Sequence, residues 1–179
     1  YQVYYNPVKT WQKIKQNPSL LPQYFIRETV VDEIRTFFKK SGFHEVETPI
    51  MVERPSTETY LEFFDTELKT AEGLHKTGFL ITSPEYAMKK LLAAGIGDIF
   101  QLTKSFRNTE GLSFRHNPEF LILEWYRTQA DYTDVMVDCE QLLLSLWKAT
   151  QGKTLPADAT PLLTFQGKTY DLTPPWPRL

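Results

Sequence analysis

Hydrophobic and polar positions alternate at two periods along this chain. From residue 27 to about 40, Val30, Val31, Ile34, Phe37 and Phe38 fall at i, i+1, i+4, i+7 and i+8. That is one apolar stripe at the helical period. Gly42 supplies the stop, because a left-handed residue costs glycine little. Phe43 to Pro49 reads as a short extended segment. Residues 1–26 carry aromatics, amides and prolines without a long periodic run. They predict an arm or a pair of short helical turns, interrupted by Pro7, Pro18 and Pro22. Residues 53–78 are mixed and polar, with Phe63, Phe64 and Leu68 as anchors.

Phe79 to Thr82 predicts a buried strand. Ser83-Pro84-Glu85 then opens a helix: Ser at the cap, Pro at the first helical position, an acid in the first turn. Met88, Leu91 and Leu92 form its apolar face and Gly95 ends it. Ile99 to Arg107 alternates as a strand, with Phe100, Leu102 and Phe106 on one face and Gln101, Thr103, Ser105 and Arg107 on the other. A loop, 108–117, leads to a second strand, Phe120 to Tyr126. Thr133 caps a predicted helix of about 134–149 with the stripe Val135, Cys139, Leu142, Leu143 and Leu146. Leu162–Phe165 and Lys168–Leu172 predict a hairpin turning at Gln166-Gly167, and a proline-rich loop follows. The pattern is α+β: an antiparallel β-sheet with flanking helices. Its division is an arm, 1–26, and one domain, 27–179.

Composition narrows the chemistry. The 179 residues carry 20 Lys+Arg against 22 Asp+Glu, a net charge of −2. That disfavours a module that binds nucleic acid through a broad basic surface, and no aromatic-basic stripe is present. Apolar residues at 41% and charged residues at 23% are ordinary globular proportions. The single Cys139 excludes an internal disulfide framework and a Cys-rich zinc site. His44, His75 and His116 would need carboxylate help to hold a metal, so no metal site is assigned. No apolar run approaches the ~20 residues of a membrane span and no signal peptide is visible, so the expected location is the cytoplasm. The chain starts at Tyr1 rather than Met, which reads as trimming.

The informative stretch is Phe106 to Arg127. Alternation puts Phe120, Ile122, Glu124 and Tyr126 on one face of the second strand. Phe120 and Glu124 stand roughly 13 Å apart at ~3.4 Å per residue. An aromatic ring at one end and a carboxylate at the other suit an elongated ligand with a flat base and a cation. Arg107, on the polar face of the neighbouring strand, is suited to grip a phosphate or carboxylate. Glu110, Arg115, His116 and Asn117 in the loop are candidates for phosphates, metal or ribose. Each has a plainer reading. Arg107 as a surface partner of Glu110 or Glu119 is the better one taken alone; His116 could be an ordinary loop residue, Phe120 could be core, and helix capping explains Ser83 and Glu85. Glu124 is harder to dismiss, because a carboxylate among Leu121, Ile122, Leu123, Trp125 and Tyr126 is costly to bury without a partner. From the residues alone the reading is recognition of an anion and a cation across a sheet face, with no reaction specified.

The sequence resembles the class II aminoacyl-tRNA synthetases, specifically the lysyl-tRNA synthetases and the shorter paralog that lysylates elongation factor P. Gly42-Phe43-His44-Glu45-Val46-Glu47-Thr48-Pro49, with the helix before it, is similar to motif 1, the family's dimer element. Phe106-Arg107, His116-Asn117-Pro118-Glu119-Phe120 and Glu124-Trp125-Tyr126-Arg127 are similar to motif 2. Thr82-Ser83-Pro84-Glu85-Tyr86 and Ala130-Asp131-Tyr132 also match, so the likeness covers about residues 25–150. It implies that Arg107 holds the ATP α-phosphate and the amino-acid carboxylate and stabilises charge during attack. His116 and Asn117 would contact the nucleotide, Phe120 would stack on adenine, and Mg²⁺ would neutralise the phosphates. Glu85 would take the α-ammonium of lysine, and Glu124, with Ser83 nearby, its side-chain ammonium. Gly42, Phe43 and Pro49 would lie at a homodimer interface, whose physical mark would be exposed apolar side chains around Val46 and Ile50.

The match has departures. Family members commonly carry Arg-x-Glu in motif 2; here position 109 is Thr, with Glu110 as the substitute acid in a longer loop. The residue after Phe120 is often Thr and here is Leu121. Motif 3, a Gly-rich strand–helix segment with an Arg for ATP, is absent, and Gly95-Ile96-Gly97 does not supply it. A second family carboxylate for lysine is absent too. The expectation is therefore the N-terminal part of a catalytic domain that makes lysyl-adenylate from lysine and ATP and passes it to tRNA or elongation factor P. The lack of an anticodon-binding barrel favours the protein acceptor. The alternative is a synthetase-like nucleotide-binding or dimerisation module without chemistry.

Overall fold

The computed structural model describes residues 10–108, 116–152, 156 and 158–178. In chain order its elements are α1 (Thr10–Gln16), α2 (Leu21–Lys40), β1 (His44–Glu45), β2 (Met51–Val52), β3 (Asp65–Lys69), β4 (His75–Leu80), α3 (Glu85–Ala93), β5 (Ile99–Phe106), β6 (Glu119–Tyr126), α4 (Tyr132–Gln151), β7 (Leu162–Phe165) and β8 (Lys168–Asp171), with one 3₁₀ turn at Pro18–Leu20. They fall into two compact units. One holds the described residues from His44 to Thr128; the other holds those up to Phe43 together with those from Gln129 onward.

The first unit is built on β5 and β6, which pair antiparallel in the register Ile99↔Tyr126 through Phe106↔Glu119. The sheet is mixed, because β1 joins β5 in parallel. The extended segment after β1 stays beside β5, with the Val46 amide donating to the Phe100 carbonyl at 2.9 Å. A second sheet, in the order β2-β4-β3, is antiparallel. The Phe106 amide donates to the Ile81 carbonyl (2.8 Å) and the Asn108 amide to the Glu62 carbonyl (3.0 Å), which ties this sheet to the end of β5. The predicted strand at 79–82 overlaps only the last two residues of β4, Phe79 and Leu80, with Ile81 and Thr82 beyond its end, and the hairpin partner β3 lies in the stretch that reads as mixed and polar. The reason is exposure: of β3 only Thr66 is even partly covered, so burial imposes no alternating pattern on the sequence.

The α3 helix begins at Glu85 with Pro84 at its N-cap, one residue later than the sequence suggests. Ser83 still satisfies a helix-start donor, accepting from the Glu85 amide at 3.1 Å. Ile81, Met88, Ile99 and Phe100 form the apolar centre of this unit, with Thr82, Gln101 and Ser105 buried among them.

In the second unit α2 packs on α4, burying Ile34, Phe38, Leu142 and Trp147. The α2 helix starts at Leu21, so the sequence division at residue 26 falls inside it. Pro22, which the sequence suggests as an interruption, sits in the first turn, where a missing N–H breaks no helical bond. The α4 cap is Asp131 rather than Thr133. Its carboxylate accepts from the Thr133 amide (2.7 Å) while its own amide donates to Asp134 (2.9 Å), a capping box. The predicted α4 stripe holds only in part: Leu142 is buried, but Val135 and Leu143 are exposed, and while Asp138 shares the Leu142 side, Glu140 and Trp147 are buried on the opposite side of the helix. Glu140 is supported there by the Trp176 amide, 2.9 Å away, and by Arg178. These bonds, led by the one from Trp176, hold its carboxyl below the ordinary range although burial opposes them. The β7–β8 hairpin turns at Gln166-Gly167 as predicted, both residues having positive φ.

The free ends of β5 and β6 are clasped by Asp98. It accepts from the Thr128 amide and hydroxyl, each at 2.7 Å, and pairs with Arg127 at 3.4 Å. Burial raises the Asp98 pKa, but the Thr128 bonds and the Arg127 charge outweigh it and leave the carboxyl depressed. A depressed carboxyl contributes stability above the unfolded pKa, about 3.9, and loses it as pH falls through the lower folded value. Asp98→Ala should lower the unfolding free energy by about 2 kcal/mol at neutral pH. In denaturant titrations the gap to the parent should narrow on acidification; a gap as wide at about pH 2 as at neutrality would contradict the clasp.

Candidate active site

The two-residue period of a strand, with the β5–β6 register, decides which side chains meet. Gln101, Thr103 and Ser105 stand opposite Glu124, Ile122 and Phe120, and Ile99 opposite Tyr126, all on one face. Arg107 continues that face past the end of β5. Its amide donates to the Pro118 carbonyl at 3.0 Å, closing the base of the loop. The Arg107 guanidinium carbon lies 5.2 Å from the centre of the Phe120 ring, a cation–π contact. Glu119, one of the partners considered for Arg107, is on the opposite face and pairs with Lys104.

At the other end of the face is Glu124. Its Oε2 accepts from the Ser83 hydroxyl at 2.7 Å, and its Oε1 from the Tyr126 hydroxyl at 2.5 Å. Ser83 arrives from the turn before α3, so the hydroxyl that serves the helix start also reaches the sheet. Among the described residues, the hydrogen-bond partners of Glu124 are both neutral. Burial, the bond to Glu124 and the charges of Glu124 and Glu85 together push the Tyr126 phenol far above its ordinary value. Glu85 is paired with Lys89 one turn along α3. That bond, and then the Glu85 charge, raises the Lys89 ammonium, with a smaller contribution from Glu124. Glu85, Lys89, Glu124 and Tyr126 are thus one electrostatic group.

The structure therefore brings Ser83, Glu85 and Glu124 together, and Arg107 with Phe120, as the two ends of one face. His116 and Asn117 are exposed where the loop returns to β6. Glu110 and Arg115 lie outside the described residues. Gly42 has φ +87, Phe43 is buried and Pro49 is exposed. Of the expected apolar surface near motif 1, Ile50 and Met51 are exposed and Val46 is half-buried. A cavity of about 520 Å³ opens beside Ser83, between the 49–57 segment and the Tyr86–Lys90 side of α3. Sequence reasoning assigned no role to Tyr126, although its parity with Glu124 signalled a shared face. Among the described residues no group of three His, Cys, Asp or Glu is placed to hold a metal, and no helix is long and apolar enough to cross a membrane.

This strand–loop–strand face, entered by a helix that begins at a Ser-Pro-Glu turn, belongs to a known class. Residues 9–179 match the family described as tRNA synthetases class II (D, K and N), and the chain belongs to that family. Within it, the chain is 45% identical over 133 residues to the elongation factor P--(R)-β-lysine ligase of Mannheimia succiniciproducens, covering 74% of this chain and 41% of that protein. It is 42% identical over 149 residues to the protein of the same name from an Enterobacter species (82% and 44%), and 41% identical over 145 residues to that of Baumannia cicadellinicola (79% and 42%). The chain spans less than half the length of these relatives.

The Tyr126 environment has a spectroscopic consequence. The chain has nine tyrosines. In an alkaline absorbance titration, Tyr126→Phe should leave the tyrosinate signal up to about pH 11 unchanged, because Tyr126 does not ionise in that range. Glu124→Gln should bring part of the Tyr126 signal back toward it, burial accounting for the rest. A full tyrosine's loss of signal in Tyr126→Phe below about pH 11 would contradict the placement.

Proposed function

We propose that this chain carries the amino-acid and nucleotide face of a ligase that activates a lysine with ATP and passes it to elongation factor P. The observation that carries the reading is one strand face with Glu124, held by Ser83 and Tyr126, at one end and Arg107 with Phe120 at the other. The names of the relatives favour (R)-β-lysine over lysine, and elongation factor P over tRNA. The two ammonium groups of β-lysine are one carbon closer together than those of lysine. Both amino acids present a carboxylate and two cations, which this face suits.

In the first step an oxygen of the amino-acid carboxylate attacks the α-phosphorus of ATP, and pyrophosphate leaves with the electrons of the broken bond. The guanidinium of Arg107 lies between the two anions, draws them together and stabilises the charge that builds at phosphorus. Phe120 takes the base, and His116 and Asn117 the phosphates and ribose. Glu110 stands in for the family's motif 2 acid. Mg²⁺ would arrive on the triphosphate and offset its charge. Glu124 and Ser83 hold the terminal ammonium. Glu85 holds the other ammonium and exchanges Lys89 for it. In the second step an acceptor amine attacks the activated carbonyl and AMP leaves. No side chain forms a covalent intermediate. Pairing of two copies through the exposed Ile50 and Met51 region is part of the same proposal.

Amino-acid-dependent exchange of pyrophosphate into ATP tests it. Exchange should require lysine or (R)-β-lysine and fall about 100-fold or more in Arg107→Ala. Glu124→Gln should weaken the diamino acids selectively. Equal loss with amino acids that lack a terminal ammonium would sink the role of Glu124, and ATP binding without any exchange would favour a nucleotide-binding module.

A further inference from the structure

Gln101 lies at the centre of β5, is 2% exposed, and has no part in the steps above. Its Oε1 accepts from the Thr48 hydroxyl at 3.0 Å, and Thr48 is itself buried. Thr48 comes from the segment that runs parallel to β5 on the β1 side. On the β6 side, the register places Gln101 directly across from Glu124, on the same face. One fork of the carboxamide is therefore fixed on the flank away from the site. The other fork, the Nε2 amino group, is buried without a hydrogen-bond partner in the described structure.

An amide donor in that state is costly, and Met or Leu would fill the space without the cost. The amino group only donates, so it does not serve the ammonium of a ligand; it serves an acceptor. Directly opposed side chains on an antiparallel pair have Cβ atoms about 4.5–5.5 Å apart, so Glu124 is within reach of a glutamine. In the free protein Glu124 already accepts from Ser83 and Tyr126. A cation that settles on this carboxylate competes with those hydroxyls for its lone pairs, and the carboxylate must turn to receive it. We propose that Gln101 is a positioning residue: its free amino group holds the Glu124 carboxylate in the turned, ligand-bound orientation and so sharpens selection for amino acids with a terminal ammonium. Neutrality matters here. A cationic residue would satisfy Glu124 and exclude the ligand, and a second acid would set two like charges side by side. The inference rests on the reading of Glu124 as an ammonium receptor.

Titration of ¹⁵N-labelled protein with (R)-β-lysine tests it, the Gln101 side-chain signals being identified by their loss in Gln101→Met. The Gln101 amino pair should shift with the same midpoint as the backbone amides of Glu124 and Tyr126. Gln101→Met should bind about tenfold more weakly at unchanged helix and strand content. Thr48→Val, which keeps the amino group, should lower thermal stability yet leave the midpoint in place, and it preserves the test if Gln101→Met does not fold. Movement of the Glu124 and Tyr126 amides while the Gln101 pair stays still, or parental affinity in Gln101→Met, overturns the proposal. A titration in which no β6 amide moves overturns the ammonium reading itself, and this inference with it.

Discussion

A carboxylate set in an apolar strand must be given hydrogen bonds or a cation, and the rest of this site follows from how Glu124 meets that demand. Glu124 is half-buried on its face of β6. It is held by Ser83 from outside the sheet and Tyr126 from two residues along its own strand. Both donors are neutral, so the negative charge is retained rather than cancelled. A hydroxyl-bound carboxylate keeps affinity for an ammonium, whereas a lysine or arginine in the same place would spend that affinity on the protein itself.

The backbone makes this arrangement reproducible. The β5–β6 pairing runs without a bulge over its full length, so parity alone puts Arg107, Phe120, Glu124 and Tyr126 on one surface. Asp98 fixes one end of the pair by binding Thr128 and Arg127, and the Arg107–Pro118 bond fixes the other. Ser83 is delivered by a turn whose hydroxyl must satisfy the start of α3 in any case. The Ser83 hydroxyl therefore serves the helix start and Glu124 at once, since a hydroxyl donates one bond and accepts another.

This parity is why so much of the site was legible in the sequence. Alternation over β5 and β6 named the site face, and the β7–β8 hairpin followed from its turn residues. Other features left weaker traces. The β3 strand is almost wholly exposed, so its sequence is free to be polar. Pro22 is chemically the same whether it breaks a helix or begins one, and only the structure shows that it begins one. The buried positions of α4 include Asp138 and Glu140, on opposite sides of the helix, which a search for one apolar stripe passes over. The Thr48–Gln101 contact joins residues far apart in sequence, and neither advertises the other.

The proposed function needs the Glu124 end of the β6 face to receive a terminal ammonium and the Arg107 end to be where the carboxylate meets phosphate. A crystal structure of the protein with (R)-β-lysine tests that most directly. The terminal ammonium should lie within hydrogen-bond distance of the Glu124 carboxylate, with the ligand carboxylate directed toward Arg107. A ligand bound elsewhere, or bound in the opposite direction with Glu124 still satisfied by Ser83 and Tyr126 alone, would contradict it.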